Sequence, residues 1–133
     1  VGILGDQDAR KAGIFVDFFG RPASTARGPA VLSLRAGAPL VLAVAIREEG
    51  AKPRYSVYFE PLDQPRTGNL DRDVATLTQA YTHRLEAFIR RYPEQYFWLH
   101  RRWKTPPPDA GAGTGPAAGA YQEVQSQALG RPP

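Results

Sequence analysis

The sequence predicts an α/β domain, and three stretches carry that expectation. Pro39 to Arg47 is a continuous apolar run, the pattern of a strand covered on both faces. Arg72 to Arg91 sets Val74, Leu77, Tyr81, Leu85 and Phe88 at three- and four-residue steps, one apolar stripe along a long helix. Val1 to Leu4 reads as the end of a buried strand, broken by the turn-forming Gly5-Asp6-Gln7-Asp8-Ala9.

Composition bounds the function classes. With 133 residues the chain is one domain's worth. It has no cysteine, which excludes disulfides and thiolate metal sites, and its two histidines make a protein-only zinc site uncommon. No metal or cofactor is expected. The net charge of +4 fits anionic partners: nucleic acid, an anionic membrane surface, phosphorylated lipid or an acidic carrier protein. The apolar run at Pro39 to Ile46 is far too short to span a bilayer, and no signal peptide is visible. The chain lacks methionine and opens inside an apolar run, so a fragment without its N-terminal part is expected.

In an open α/β sheet, ligands sit beyond the carboxyl ends of strands, where Asp6 and Asp8 fall. These acids orient or charge an active site, or they bond nearby backbone N–H groups in an Asx-turn; spacing alone favours the turn. Arg10-Lys11 is a basic step of the usual solvated kind. Gly13 to Phe19 reads as a short strand or extended loop, and Gly20 to Thr25 as a turn. Ser24 or Thr25 then caps the following helix, whose N-terminus collects anions, with Arg21 and Arg27 close by in sequence. Capping outweighs nucleophilic chemistry for both hydroxyls.

Pro29 to Ala36 reads as a short helix stopped by Gly37. The apolar strand follows and turns at Glu48-Glu49-Gly50. Arg54 to Glu60 alternates as a half-buried strand does and pairs back as an edge hairpin. Pro61 to Leu70 is a polar loop, and Asp71 caps the long helix. His83 lies off the apolar stripe and reads as solvated; Arg90-Arg91 suits the helix dipole.

Tyr92 to Lys104 is the densest stretch, Tyr-Pro-Glu-Gln-Tyr-Phe-Trp-Leu-His-Arg-Arg-Trp-Lys. Both tryptophans lie in it. Pro93 suits a first helical turn. Arg101, Arg102 and Lys104 can hold an anion beside the flat apolar surface of Phe97, Trp98 and Trp103. The plain alternative is a terminal segment whose aromatics dock on the core. From Thr105 to Pro133 the composition turns to Pro, Gly and Ala, which marks a disordered tail.

The run from Pro93 to Lys104 resembles the C-terminal signature of the bacterial lipid A biosynthesis acyltransferases, lauroyl and myristoyl transferases of the lysophospholipid acyltransferase superfamily. Phe18-Phe19-Gly20-Arg21-Pro22-Ala23-Ser24-Thr25 and Asp6-Gln7-Asp8 resemble two further blocks of that family, and the likeness covers Val1 to Lys104. The resemblance implies the C-terminal part of a glycerolphosphate-acyltransferase-like αβ sandwich with a mostly parallel central sheet over residues 1–104, followed by the tail at 105–133. It implies transfer of a fatty acyl group from acyl-carrier protein or coenzyme A to a hydroxyl of a lipid A precursor or a phosphatidylinositol mannoside.

Under that resemblance Asp6 and Asp8 are supporting catalytic acids, Asp6 first. Arg21, Ser24, Thr25 and Arg27, with Glu94, His100, Arg101, Arg102 and Lys104, are the substrate-binding candidates. The family's His-x4-Asp/Glu motif, which supplies the base, does not occur here: five positions after His83 stands Phe88, and after His100 stands Thr105. In the family the motif precedes the Asp-x-Asp block. The piece is therefore expected to be inactive alone. Peripheral association with the cytoplasmic face of the inner membrane is implied by the substrate. A different class, a non-catalytic basic module that grips anionic lipid or nucleic acid, fits the charge but leaves both upstream blocks unexplained, and no nucleic acid is expected.

Overall fold

A computed structural model describes residues 1–108. Its elements run β1 (Ile14–Phe18), β2 (Arg21–Thr25), α1 (Gly28–Ala36), β3 (Leu40–Arg47), β4 (Tyr55–Leu62) and α2 (Leu70–Arg91), with single 3-10 turns at Arg10–Ala12 and Pro93–Gln95. The expected tail lies mostly outside the described residues.

The expected mostly parallel central sheet is corrected. Among the described residues there are two separate two-stranded sheets, β1-β2 and β3-β4, and both are antiparallel. The first follows from its loop, since a two-residue connection can join only antiparallel strands. Phe19 (φ 57°) and Gly20 (φ 74°) both take the left-handed region, as a type I′ turn requires. The expected turn over Gly20 to Thr25 is therefore only Phe19-Gly20, and Arg21–Thr25 returns as a strand. Phe19 is held in this costly conformation from several sides. Its N–H donates to Glu86 Oε2 at 2.8 Å, its ring meets the edge of Phe18, and the Arg90 guanidinium lies 4.7 Å from the ring centre.

Three smaller expectations also change. Val1 to Leu4 forms no strand, for it has no ladder partner among the described residues. The cap of α2 is Asn69, whose Oδ1 accepts from Arg72 N–H at 3.1 Å, while Asp71 sits inside the first turn. Neither Ser24 nor Thr25 caps α1, because both belong to β2; the capping position is Arg27, with no side-chain bond. The edge hairpin forms as expected, as do a short helix stopped by Gly37 (φ 62°) and a turn opening at Pro93.

The long helix is the spine. Its Val74, Leu77 and Tyr81 pack with Ala30 of α1 and Leu62 of β4, while Ile89 packs with Phe18 and Ala23 of the first hairpin. Full burial of a side chain such as Phe18 or Leu77 contributes about 1.5–3 kcal/mol. Of the predicted stripe, Phe88 leaves the core and meets the Tyr58 ring, and Ile89 takes the buried place beside it. The strand β3 is covered on one face only, its residues alternating between exposed and partly buried. The register sets Val41, Ala43 and Ala45 beside Pro61, Phe59 and Val57 on the open face.

Two glutamine amides bind the main chain of edge strands. Gln79 accepts from Asp17 N–H at 2.7 Å and donates to Asp17 O at 3.0 Å. Gln95 does the same to Arg47, at 2.8 and 3.0 Å. Each amide occupies backbone groups that would otherwise invite another strand.

Candidate active site

The first hairpin brings the two ends of the described chain together. Asp6-Gln7-Asp8 lies against the segment that follows α2, and each contact has a local cause. Pro93 opens a 3-10 turn after α2, and Tyr96, two residues beyond Glu94, is thereby turned back. Its hydroxyl donates to Asp6 O at 3.3 Å. The Asp8 N–H donates to His100 Nε2 at 2.8 Å, and the Thr105 hydroxyl donates to Asp8 Oδ2 at 2.9 Å. Since Nε2 accepts, a neutral His100 ring carries its proton on Nδ1.

Beneath this junction lies Arg102, 2% exposed. Its Nη1 donates to Ser24 O at 2.6 Å, its Nη2 to Thr25 Oγ1, and its guanidinium lies 5.2 Å from the Phe18 ring centre. A buried cation is costly without compensation. Here the compensation is hydrogen bonds, a ring face and the field of nearby carboxylates. Burial pulls the Arg102 pKa below its ordinary value, and Tyr96, Tyr81, Asp8 and Asp6 oppose that pull. Burial also raises Tyr81 and Tyr96 above the ordinary tyrosine value, with Arg102 working the other way and Asp6 adding to the rise.

Three buried polar atoms at this junction have no hydrogen-bond partner among the described residues: Asp8 Oδ1, Arg102 Nε and Trp103 Nε1. They comprise one acceptor and two donors, from the acid block and the terminal block. Gly13 makes the close packing possible, because a Cβ there would come within 2.3 Å of Ser24 Oγ.

The other sequence candidates spread around this centre. Ser24 and Thr25 are fully buried, and their hydroxyls donate to Arg10 O (2.6 Å) and Ala23 O (3.0 Å). Both hydroxyl protons are thus committed to main-chain carbonyls. Arg21 is exposed and lies 5.3 Å from the Trp103 ring centre. Arg27 pairs with Asp71 at 3.2 Å, away from the junction. Glu94, Arg101 and Lys104 are exposed, and the last two make no side-chain bond or ion pair among the described residues. The structure thus gathers Asp6, Asp8, Ser24, Thr25, His100 and Arg102, and leaves Arg27 and Glu94 outside.

Sequence reasoning missed Tyr81 and Tyr96 as members of the centre. Tyr81 donates to Ala26 O at 2.6 Å, and its ring lies over Gly5. Periodicity placed Tyr81 on a core stripe, and nothing in the spacing told its hydroxyl from a core phenyl.

Comparison with known proteins gives the chain its family. The family model for bacterial lipid A biosynthesis acyltransferases matches residues 1–105, and the chain belongs to that family. The chain is 37% identical over 106 residues to a lipid A biosynthesis palmitoleoyltransferase of Escherichia coli K12, covering 77% of this chain and 32% of the relative. It is 34% identical over 98 residues to the lipid A biosynthesis lauroyltransferase of the same organism, covering 73% of this chain and 31% of the relative. A phosphatidylinositol mannoside acyltransferase of Mycobacterium tuberculosis is 32% identical over 103 residues, covering 77% of this chain and 30% of the relative. The chain thus spans about a third of the length of the curated relatives it matches.

Proposed function

We propose that this chain is the acceptor-side portion of an O-acyltransferase. The protein would move a fatty acyl group from a thioester of acyl-carrier protein or coenzyme A to a hydroxyl of a lipid A precursor or related phosphorylated glycolipid. The acceptor oxygen forms a bond to the thioester carbonyl carbon, the carbon–sulfur bond breaks, and the hydroxyl proton ends on the departing thiolate. A base must carry that proton. The sequence holds no His-x4-Asp/Glu pair of the kind that supplies one in the family.

The observation that supports this reading best is the meeting of the Asp-Gln-Asp turn with the terminal block through Asp8, His100 and Thr105. Two of the blocks that carry the family likeness form one centre. In it one carboxylate oxygen of Asp8 has no partner among the described residues, and Arg102 supplies positive charge from beneath. Arg21 is an exposed cation suited to an acceptor phosphate. Acceptor and donor would be met at the cytoplasmic face of the inner membrane; no helix among the described residues is long and apolar enough to cross it.

The test uses purified residues 1–133 with acyl-carrier thioester and a phosphorylated disaccharide lipid acceptor. The expected result is acceptor binding, weakened by Arg21→Glu, with no acylated product. Product formed by this chain alone would show that the base lies within it. Absence of any acceptor binding would remove the acceptor-side assignment.

A further inference from the structure

The terminal block presents a feature that the buried junction does not use. After Tyr96 turns inward, the chain makes a tight turn whose tip is Phe97-Trp98-Leu99. These three apolar residues are 63%, 50% and 84% exposed. Consecutive large apolar side chains on a turn tip are unusual on a surface that meets only water. The tip is also braced by contacts. Trp98 Nε1 donates to Pro93 O at 2.7 Å, and the Trp98 ring meets the edge of Tyr96 at 5.0 Å and lies 6.1 Å from Phe19. Main-chain bonds from His100 to Phe97 O and from Lys104 to Arg101 O hold the turns that follow.

Directly after the tip come Arg101 and Lys104, both exposed and neither in an ion pair among the described residues. Four exposed arginines elsewhere pair with acids, Arg27 with Asp71, Arg54 with Glu48, Arg84 with Glu60 and Arg90 with Glu86, while others such as Arg35 and Arg66 do not among the described residues. What sets Arg101 and Lys104 apart is that they follow an exposed apolar tip on the same short segment. An apolar tip and, on the same short segment, cations without an ion pair among the described residues match the two layers of an anionic bilayer surface. Apolar groups enter the acyl boundary, and cations stay among the headgroups.

We propose that the Phe97–Leu99 turn is an interfacial membrane anchor, seated in the headgroup region of an anionic bilayer with Arg101 and Lys104 at lipid phosphates. This deepens the membrane location proposed above and rests on it. Vesicle binding needs neither acyl donor nor acceptor, so its failure would leave the acyl-transfer reading standing. The open apolar face of β3-β4 is the competing surface. It holds no tryptophan, so Trp98 reports on the turn alone.

The experiment takes the full chain with Trp103→Phe, which leaves Trp98 as the single tryptophan. Far-UV circular dichroism verifies that each variant keeps its fold. Vesicles of phosphatidylcholine, with and without phosphatidylglycerol, are added, and a second set carries brominated acyl chains. The expected result is a blue shift of Trp98 emission and quenching by brominated lipid, with the phosphatidylglycerol vesicles bound much more tightly. Leu99→Asp, at an exposed position, should weaken partitioning by about tenfold or more. Removing Arg101 or Lys104 should weaken it by about fivefold each. The proposal is overturned if the vesicles are not bound, or if they are bound while Trp98 stays unshifted and unquenched. Binding indifferent to Leu99→Asp and to lipid charge would overturn it as well, and would assign the contact to another surface.

Discussion

Asp8 and His100, 92 positions apart in sequence, are joined by one hydrogen bond from the Asp8 main-chain N–H to the imidazole Nε2 at 2.8 Å. The bond gives the imidazole a structural task that its sequence neighbours do not reveal. It also fixes where the acid block sits relative to the terminal block. His100→Ala should cost about 1 kcal/mol, the usual net value of one hydrogen bond. His100→Gln, which can offer a carbonyl acceptor, should recover part of the loss. Urea denaturation checks both, and an alanine variant as stable as the parent would show that the bond contributes nothing.

Arg102 should tolerate replacement poorly. Its two charge-assisted hydrogen bonds to Ser24 and Thr25 contribute about 3 kcal/mol together. Arg102→Lys keeps the charge but loses the planar fork, so it should not restore the parent's stability. A lysine variant unfolding at the parent's urea midpoint would contradict a role for the fork.

Alkaline pH should weaken the fold through Tyr81 and Tyr96. Burial raises both above their ordinary value of 10.0. The folded state therefore holds protons that the unfolded chain has begun to release. Their contribution to stability is intact below about pH 10 and is lost as pH rises further. Tyrosinate absorbance should show these two ionising after the exposed tyrosines, in step with unfolding. Early ionisation of all the tyrosines in the folded chain would contradict this.

Gly13 should resist even alanine. A Cβ there would meet Ser24 Oγ at 2.3 Å, Ala9 Cβ at 2.8 Å and Thr25 O at 2.9 Å, so Gly13→Ala should cost about 2 kcal/mol. Gly28→Ala, with open space around it, is the matched control and should stay within about 0.5 kcal/mol of the parent. Thermal unfolding of the pair separates steric exclusion from a general glycine effect.

Much of the local structure was legible in the residues themselves. The stripe from Val74 to Leu85, the stop at Gly37 and the turn at Pro93 all report neighbours within a few positions, and local sterics and periodicity decide such features. The strand at Arg21–Thr25 was not legible, because it depends on Phe19 accepting a positive φ. Glu86, Arg90 and the Phe18 ring support that conformation, and two of the three come from α2. The one-sided covering of β3 escaped for a related reason: an apolar run states what a strand can bury, and only its neighbours determine what is buried.

By itself, then, the sequence determined the helices, the long apolar strand, the family blocks and the absence of a His-x4-Asp/Glu pair. Only the tertiary structure decided that Ile14–Phe18 and Arg21–Thr25 form a hairpin of their own in place of a parallel central sheet, that His100 holds Asp8 in place, and that Arg102 is buried while Arg101 and Lys104 face water. The physical reason is distance along the chain. Helix and turn preferences act between near neighbours, whereas the guanidinium of Arg102 is stabilised by Ser24 and Thr25, partners 78 and 77 positions away that only folding brings into reach.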